Sequence, residues 1–309
     1  MKKQIITLTL LLSLCFSAWA QKEYKVAKST GKLHLNLNGA VIEGYDGNEI
    51  IFSSQKTQEE EDERAKGLQA ISGTGYKDNT GMGINVTENG QDIHVNMVGN
   101  RIDKDLLKIH VPKQFSITFT YHKTLQAELI VINNIKGEIE LSTSYNKVKL
   151  ENNSGPMNIK AIYGSVDVAF ENDIKGPVSI ISVYDYVDVA LPASTKANIE
   201  LGTSYGKLYA ADDFNITVTE RNVEKEEGAR GHGATAISGT ATRTADTPRG
   251  TINGAPTPPI APVAPVVEDR TLGFVYRGSE RENIKGTING GGVDLIFKSN
   301  YKNVYLRTR

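Results

Sequence analysis

Residues 139–150 read IELSTSYNKVKL, 157–168 MNIKAIYGSVDV, 178–189 VSIISVYDYVDV, 199–210 IELGTSYGKLYA and 295–306 LIFKSNYKNVYL. All five fit one pattern without a gap. Two apolar residues at alternate positions are followed by a tyrosine (Tyr145, Tyr163, Tyr184, Tyr205, Tyr301) and then by two more alternate apolar residues. The residue four after each start is small: Thr143, Ala161, Ser182, Thr203, Ser299. After the tyrosine comes Asn146, Gly164, Asp185, Gly206 or Lys302, mostly types that tolerate left-handed turn geometry. Gly137, Gly155 and Gly176 precede the first strand of a copy by two residues, with Pro156 and Pro177 completing Gly-Pro corners. Alternation with period two marks half-buried strands, so each copy reads as corner, short strand, tyrosine turn, short strand. A unit of about 20 residues cannot bury its apolar face alone, whereas stacked units bury it together, with strands about 4.8 Å apart. The expected fold is all-β: a β-solenoid, β-helix-like, of short stacked coils. An antiparallel β-sandwich is the alternative; it explains the alternation but not why one tyrosine keeps its place in every copy.

Outward from the repeat, Leu33, Leu35 and Leu37 alternate up to a turn at Asn38-Gly39, with Val41 and then Ile50 to Phe52 beyond it. Strands resume at Ile84-x-Val86, Ile93-x-Val95-x-Met97 and Ile117-x-Phe119, after a loop marked by Gly73, Gly75, Gly81 and Gly83. Thr57-Gln58-Glu59-Glu60 is a capping-box pattern that predicts one short surface helix over Glu61 to Lys66, stopped at Gly67. From about 219 to 273 the apolar ladder fails. No aromatic residue lies between Phe214 and Phe274, and six of the ten prolines fall between Pro248 and Pro265. This Pro/Ala/Thr/Gly-rich stretch reads as a disordered insertion inside one domain spanning 21–309, with a last coil over about 288–309.

Lys2 and Lys3, an apolar run from Ile5 to Leu14 and the small-x-small Ala18-Trp19-Ala20 describe a signal peptide over 1–20. The apolar run is shorter than the about 20 residues a bilayer span needs, and no later segment is apolar enough to be one. Leu14 stands where a lipobox requires Gly, Ala or Ser, which argues against a lipoprotein acylated at Cys15. Cleavage after Ala20 removes the chain's only Cys and only Trp, so neither a disulfide nor cysteine chemistry is available. It also leaves 33 basic against 36 acidic residues, a net charge near −3 that disfavours nucleic acid as a partner. The expected location is the periplasm, the outer membrane or the exterior.

Asn38-Gly39-Ala40-Val41, Gly44-Tyr45-Asp46-Gly47, the tyrosine coils and the closing Ile288-Asn289-Gly290-Gly291-Gly292 with Ser299-Asn300-Tyr301 and Val304-Tyr305-Leu306 resemble a family. It is the bacterial secreted β-strand-repeat domain of unknown function called the putative adhesin, of the Bacteroidetes type. The resemblance implies a β-helix-like fold, export and an adhesive or cell-envelope role, and it brings no catalytic residue. Tyr301 is followed by Lys302 where the family more often has Gly.

Three sets of side chains are candidates for chemistry. The tyrosine row reads as structural, each ring capping the core at a corner, so that Tyr184→Ala in a middle coil is expected to cost about 3–5 kcal/mol. Tyr301, taken as the end coil, is expected to matter less; the rival reading is a strip on which sugars stack. The residue between the last two apolar positions of each copy points outward and forms a candidate binding ladder of Lys149, Asp167, Asp188, Tyr209 and Tyr305. Adjacent carboxylates there could share a cation, as in β-helical polysaccharide lyases, but no third carboxylate is in register. His34, His94, His110, His122 and His232 show no close sequence spacing of metal ligands and no triad, and they read as solvated. No cofactor, metal or catalytic residue is therefore assigned. The expected function is that of a non-enzymatic envelope or surface protein presenting a repetitive β face to an envelope protein or glycan; a polysaccharide-active enzyme and a purely structural scaffold are the alternatives. Mass spectrometry of the exported protein is expected to find Gln21 at the N-terminus, and a diacylated Cys15 would overturn the localisation.

Overall fold

The computed structural model describes residues 22–54, 63–99, 106–124, 127–171, 173–224 and 281–309. The expected signal peptide and the greater part of the expected insertion lie outside the described residues. Alternating sequence becomes alternating burial along β1 (Lys22–Val26), β2 (Lys32–Asn36), β3 (Ala40–Tyr45), β4 (Ile50–Ser54), β5 (Ile84–Asn89), β6 (Asp92–Met97), β7 (Lys108–Pro112) and β8 (Ser116–Tyr121). The repeat region continues with β9 (Ile130–Asn133), β10 (Ile139–Thr143), β11 (Val148–Glu151), β12 (Met157–Ala161), β13 (Val166–Ala169), β14 (Val178–Ser182), β15 (Val187–Leu191), β16 (Ala197–Thr203) and β17 (Leu208–Ala210). The chain closes with β18 (Ile216–Glu224), β19 (Arg281–Ile288), β20 (Val293–Ser299) and β21 (Val304–Thr308).

These strands form two large mixed sheets, neither closed into a barrel among the described residues. The first runs β1-β4-β7-β3-β9-β11-β13-β15-β21-β17, the second β18-β19-β16-β20-β14-β12-β10-β8-β2-β6-β5. Within the repeat every pairing is parallel and in register. Ile139, Met157, Val178, Leu295 and Ile199 follow one another across the second sheet, and Val148, Val166, Val187, Val304 and Leu208 across the first. Antiparallel pairs are confined to the flanks: β5 on β6, β4 and β1 beyond β7, and β19 and β18 beyond β16. The inward residues form one apolar cluster in which Phe52, Phe115, Phe119, Phe170 and Phe297 are fully buried.

The order of stacking departs from the order of the chain at both ends. The strand pair β20 with β21, expected as a last coil, is not terminal; it lies between β14/β15 and β16/β17 in the two sheets. At the other end β2/β3 lies between β6/β7 and β8/β9. The two strands concerned differ in burial, and in sequence by Ala210 where β21 has Leu306. Val304 and Leu306 are buried on β21, whereas Leu208 is only half-buried and Tyr209 and Ala210 are exposed. The copy that carries Ala210 stands at the edge of the first sheet, as a strand of only three residues, and short edge strands limit further pairing.

The small residue and the turn former are coupled by hydrogen bonds. Ser182 Oγ accepts the Asp185 N–H (3.2 Å) and donates to Gly164 O in the adjacent coil (2.9 Å). Ser299 does the same with Lys302 N–H (3.0 Å) and Asp185 O (2.8 Å). Thr203 repeats it with Gly206 N–H (2.9 Å) and Lys302 O (3.0 Å). Each hydroxyl closes its own turn and ties it to the next coil, and Lys302 fits the scheme as well as Gly206 does. The residues after the tyrosines do not have left-handed backbones, contrary to the sequence expectation. Gly164 and Gly206 are needed for close approach instead: a Cβ there would lie 1.7 Å from Asn146 O and 2.0 Å from Lys302 O respectively.

Two boundaries are also corrected. The expected helix is, among the described residues, a single 3-10 turn at Glu63–Ala65, ending at Gly67 with φ +80 as foreseen; its first residues lie outside the described range. The insertion does not begin at 219, because β18 continues to Glu224 on β19, and β19 begins seven residues before the expected last coil. Since β20 and β21 each have a strand on either side, the C-terminal piece is held by pairing and not by its connection. Cutting the backbone at a protease site engineered into 225–280 is expected to leave the 281–309 fragment co-eluting with the remainder on size-exclusion until denaturant is added. Its release in native buffer would overturn this topology.

Candidate functional site

Parallel register places like on like, so the five tyrosines stack in the order Tyr145, Tyr163, Tyr184, Tyr301, Tyr205. Successive ring centroids are 4.7, 4.7, 4.7 and 4.9 Å apart and the rings are tilted by 8–14°. The backbone sets this spacing: the N–H of Tyr163 donates to Ser144 O, that of Tyr184 to Ile162 O and that of Tyr301 to Val183 O, at 2.7–3.0 Å. The rings do not cap the core. Tyr145, Tyr163 and Tyr205 are 39%, 47% and 50% exposed, and Tyr184 and Tyr301 are half-buried. Nor can sugars stack along the strip, because each ring face between the two ends is covered by its neighbour.

The outward ladder runs Lys149, Asp167, Asp188, Tyr305, Tyr209 across the first sheet. Beside it a second outward row, Glu151, Ala169, Ala190, Arg307, has two alanines at its middle, and their small side chains open a hollow. That hollow, of about 210 Å³, is lined by Lys149, Glu151, Asp167, Ala169, Asp188 and Arg307. Lys149 pairs with Glu151 (2.9 Å), and Arg307 Nε donates to both Asp188 oxygens (2.8 and 2.9 Å). Burial raises the Asp167 carboxyl above its ordinary pKa; the Tyr186 hydroxyl, 3.3 Å away, opposes this, and the negative charges of Asp188 and Asp185 add to it. Toward the edge, Tyr305 and Tyr209 stack at 5.3 Å, Arg307 lies 5.2 Å from the Tyr305 ring centroid, and a hollow of about 360 Å³ opens beside them. Among the described residues strand β17 is the last of its sheet, and no further strand of theirs covers the outer face of Tyr209.

The histidines are where sequence spacing misleads. His34 and His94 are sixty residues apart in the chain yet register neighbours on β2 and β6, stacked at 4.5 Å and 10°. Asp92 Oδ2 lies 3.4 Å from His34 Nε2. The signal was present in the sequence: Leu33-His34-Leu35-Asn36 and Ile93-His94-Val95-Asn96 share one pattern, and Asn36 also meets Asn96. His122 Nδ1 instead meets Ser144 Oγ (3.1 Å), His110 lies near the Tyr45 ring, and His232 falls outside the described residues.

No protein-family model matches the chain. No curated protein matches it. A solved structure similar to it is that of a putative cell adhesion protein from Clostridium sporogenes ATCC 15579, with 12% sequence identity, 94% of this chain and 100% of that chain covered, and a TM-score of 0.41. A likeness at this level assigns neither fold nor function. Among the described residues no helix is long and apolar enough to cross a membrane.

The stacking order changes what truncating a tyrosine should do. Tyr184→Ala removes two ring stacks and Tyr205→Ala one, each worth about 0.5–1.5 kcal/mol beyond area burial. Chemical denaturation is expected to show a loss of about 1–3 kcal/mol for Tyr184→Ala and about half that for Tyr205→Ala. Tyr301→Ala, now a middle ring, should resemble Tyr184→Ala; equal losses at Tyr205 and Tyr184 would contradict the ladder.

Proposed function

We propose that the chain is a non-enzymatic exported protein of the cell envelope or surface, a β-solenoid whose outer face binds a glycan or a protein. The solenoid reading is supported by parallel coil-on-coil register, with each two-stranded unit giving one strand to each sheet. The observation that carries the binding reading is the outward row from Asp188 through Tyr305 to Tyr209. It joins a carboxylate, the Arg307 guanidinium and two stacked phenols in one strip that ends on a ring face no strand of the described residues covers. A free aromatic face suits the apolar face of a sugar, and an adjacent carboxylate and guanidinium suit its hydroxyls. Strands hold these groups in place before any ligand arrives, which limits the ordering cost of binding.

A second reading, a polysaccharide-active enzyme, is favoured by one observation: Asp167 and Asp188 share a hollow with Lys149 and Arg307. Against it, each base is already engaged by a carboxylate, Lys149 by Glu151 and Arg307 by Asp188. Glycan arrays and pull-downs of defined envelope proteins with residues 21–309 should separate the readings. The Tyr209→Ala/Tyr305→Ala double variant is expected to keep its melting temperature within a few degrees and to bind at least about tenfold more weakly, equivalent to about 1.4 kcal/mol. Unchanged binding by that variant, or no binding by the parent chain, would sink the proposal and leave the scaffold reading. Turnover of a uronate polysaccharide that Asp188→Asn abolishes would establish the enzyme instead.

A further inference from the structure

We propose that His34, Asp92 and His94 form a site for a divalent cation of the zinc type, on the outer face of the second sheet and away from the aromatic strip. One ligand atom from each residue lies within 4.8 Å of the other two. Two imidazole nitrogens and one carboxylate oxygen are a donor set suited to Zn²⁺, with a fourth position left to water.

One of the three separations already suits an ion, and the two stacked imidazoles, 4.5 Å apart, have to turn out of their stack to bring their in-plane lone pairs to it. Zinc–nitrogen and zinc–oxygen bonds of about 2.0–2.1 Å in a tetrahedron place ligand atoms about 3.3 Å apart. His34 Nε2 and Asp92 Oδ2 already stand at 3.4 Å. Rotation of side chains supplies the rest, because the three residues sit on two strands whose register is fixed at Lys32↔Asp92 and His34↔His94. His34 Nε2 is also a buried nitrogen with no hydrogen-bond partner, a state that among the described residues it shares with Asn85 Oδ1 and Asn133 Oδ1. Its missing partner is explained if its lone pair is a ligand.

Lys32, the cation beside Asp92, feels the charge of Asp92 but makes its hydrogen bond elsewhere. Lys32 is the register neighbour of Asp92 and could have neutralised it, but its ammonium meets Glu140 at 2.9 Å. Glu140 is in turn held by the Thr118 hydroxyl at 3.2 Å. Asp92 is thus left facing the imidazole.

The test is calorimetric titration of Zn²⁺ into the full chain at pH 7.5, with His34→Gln, Asp92→Asn and, as a control, His122→Ala. All three positions are on the outer surface, and circular dichroism checks that each variant keeps its β signal. The chain is expected to bind one Zn²⁺ and to melt at higher temperature with it than with a chelator. His34→Gln and Asp92→Asn are each expected to weaken binding by about tenfold or more, at least the loss seen when a supporting residue of a metal site is removed. His122→Ala should bind like the parent. No saturable binding by the parent chain, or equal binding by His34→Gln, would overturn the site. Equal weakening by His122→Ala would likewise overturn it, by showing diffuse surface association.

Discussion

The structure depends on a buried hydroxyl at the end of the first strand of a coil. Ser182, Ser299 and Thr203 each close a turn within their own coil and bond a carbonyl of the coil beside it. These side chains are almost wholly shielded from water, so the turn N–H and the neighbouring carbonyl would be left unsatisfied without them, at a cost of about 1–3 kcal/mol for each group. The same bonds fix register. A coil that slipped by one residue would turn its apolar set outward and lose both bonds at once. In the first copy Asn146 extends the scheme. Buried at 0% exposure, it donates to Asn38 O and Glu128 O and so ties the repeat to the opening turn.

Fixed register has two consequences that pull in different directions. Inward, it lines up apolar side chains into a continuous core from units too small to have cores of their own. Outward, it lines up whatever residue recurs, whether or not that residue needs company. Five tyrosines then have little choice but to stack, and the result is a ladder whose faces between the two ends are hidden. The outward row on the first sheet differs because its residues differ: lysine, two aspartates and two tyrosines in line give a graded surface instead of a uniform one. Two alanines beside it provide the room that a ligand would require. The candidate site is therefore a by-product of register, made specific by the few positions at which the copies disagree.

Stacking also creates ends, and ends are where strands invite further pairing. One edge of the second sheet is β5, which runs against the repeat strands, so a further parallel strand would meet a strand running the wrong way there; β4 and β19 also reverse, but β1 and β18 beyond them reverse again and run with the repeat. Only the first sheet ends on a repeat strand, and that strand is three residues long. The insertion of the late strand pair β20/β21 between two earlier ones gives the C-terminal segment two neighbours in each sheet, and β2/β3 is gripped in the same way near the other end.

The repeat, the all-β class, the parallel register of like positions and the identity of the core were legible in residues 139–210 and 295–306, because each is decided by the two-residue period of apolar side chains. The role of the small residue was legible only as a preference for size; its hydroxyl mattered once a carbonyl of another coil stood 2.8–3.0 Å away. The tyrosines could be counted, but whether they faced the core or the solvent could not be read, since a ring fits either side of a turn. Tertiary structure alone decided which coil lies beside which. Every copy carries the same apolar ladder and so pairs in register with any other; what distinguishes the copies is as small as Ala210 where another has Leu306, together with contacts a hundred residues apart. The meeting of His34 with His94 is of the same kind: each strand writes its own half of the pair, and only the stacking order brings the halves together.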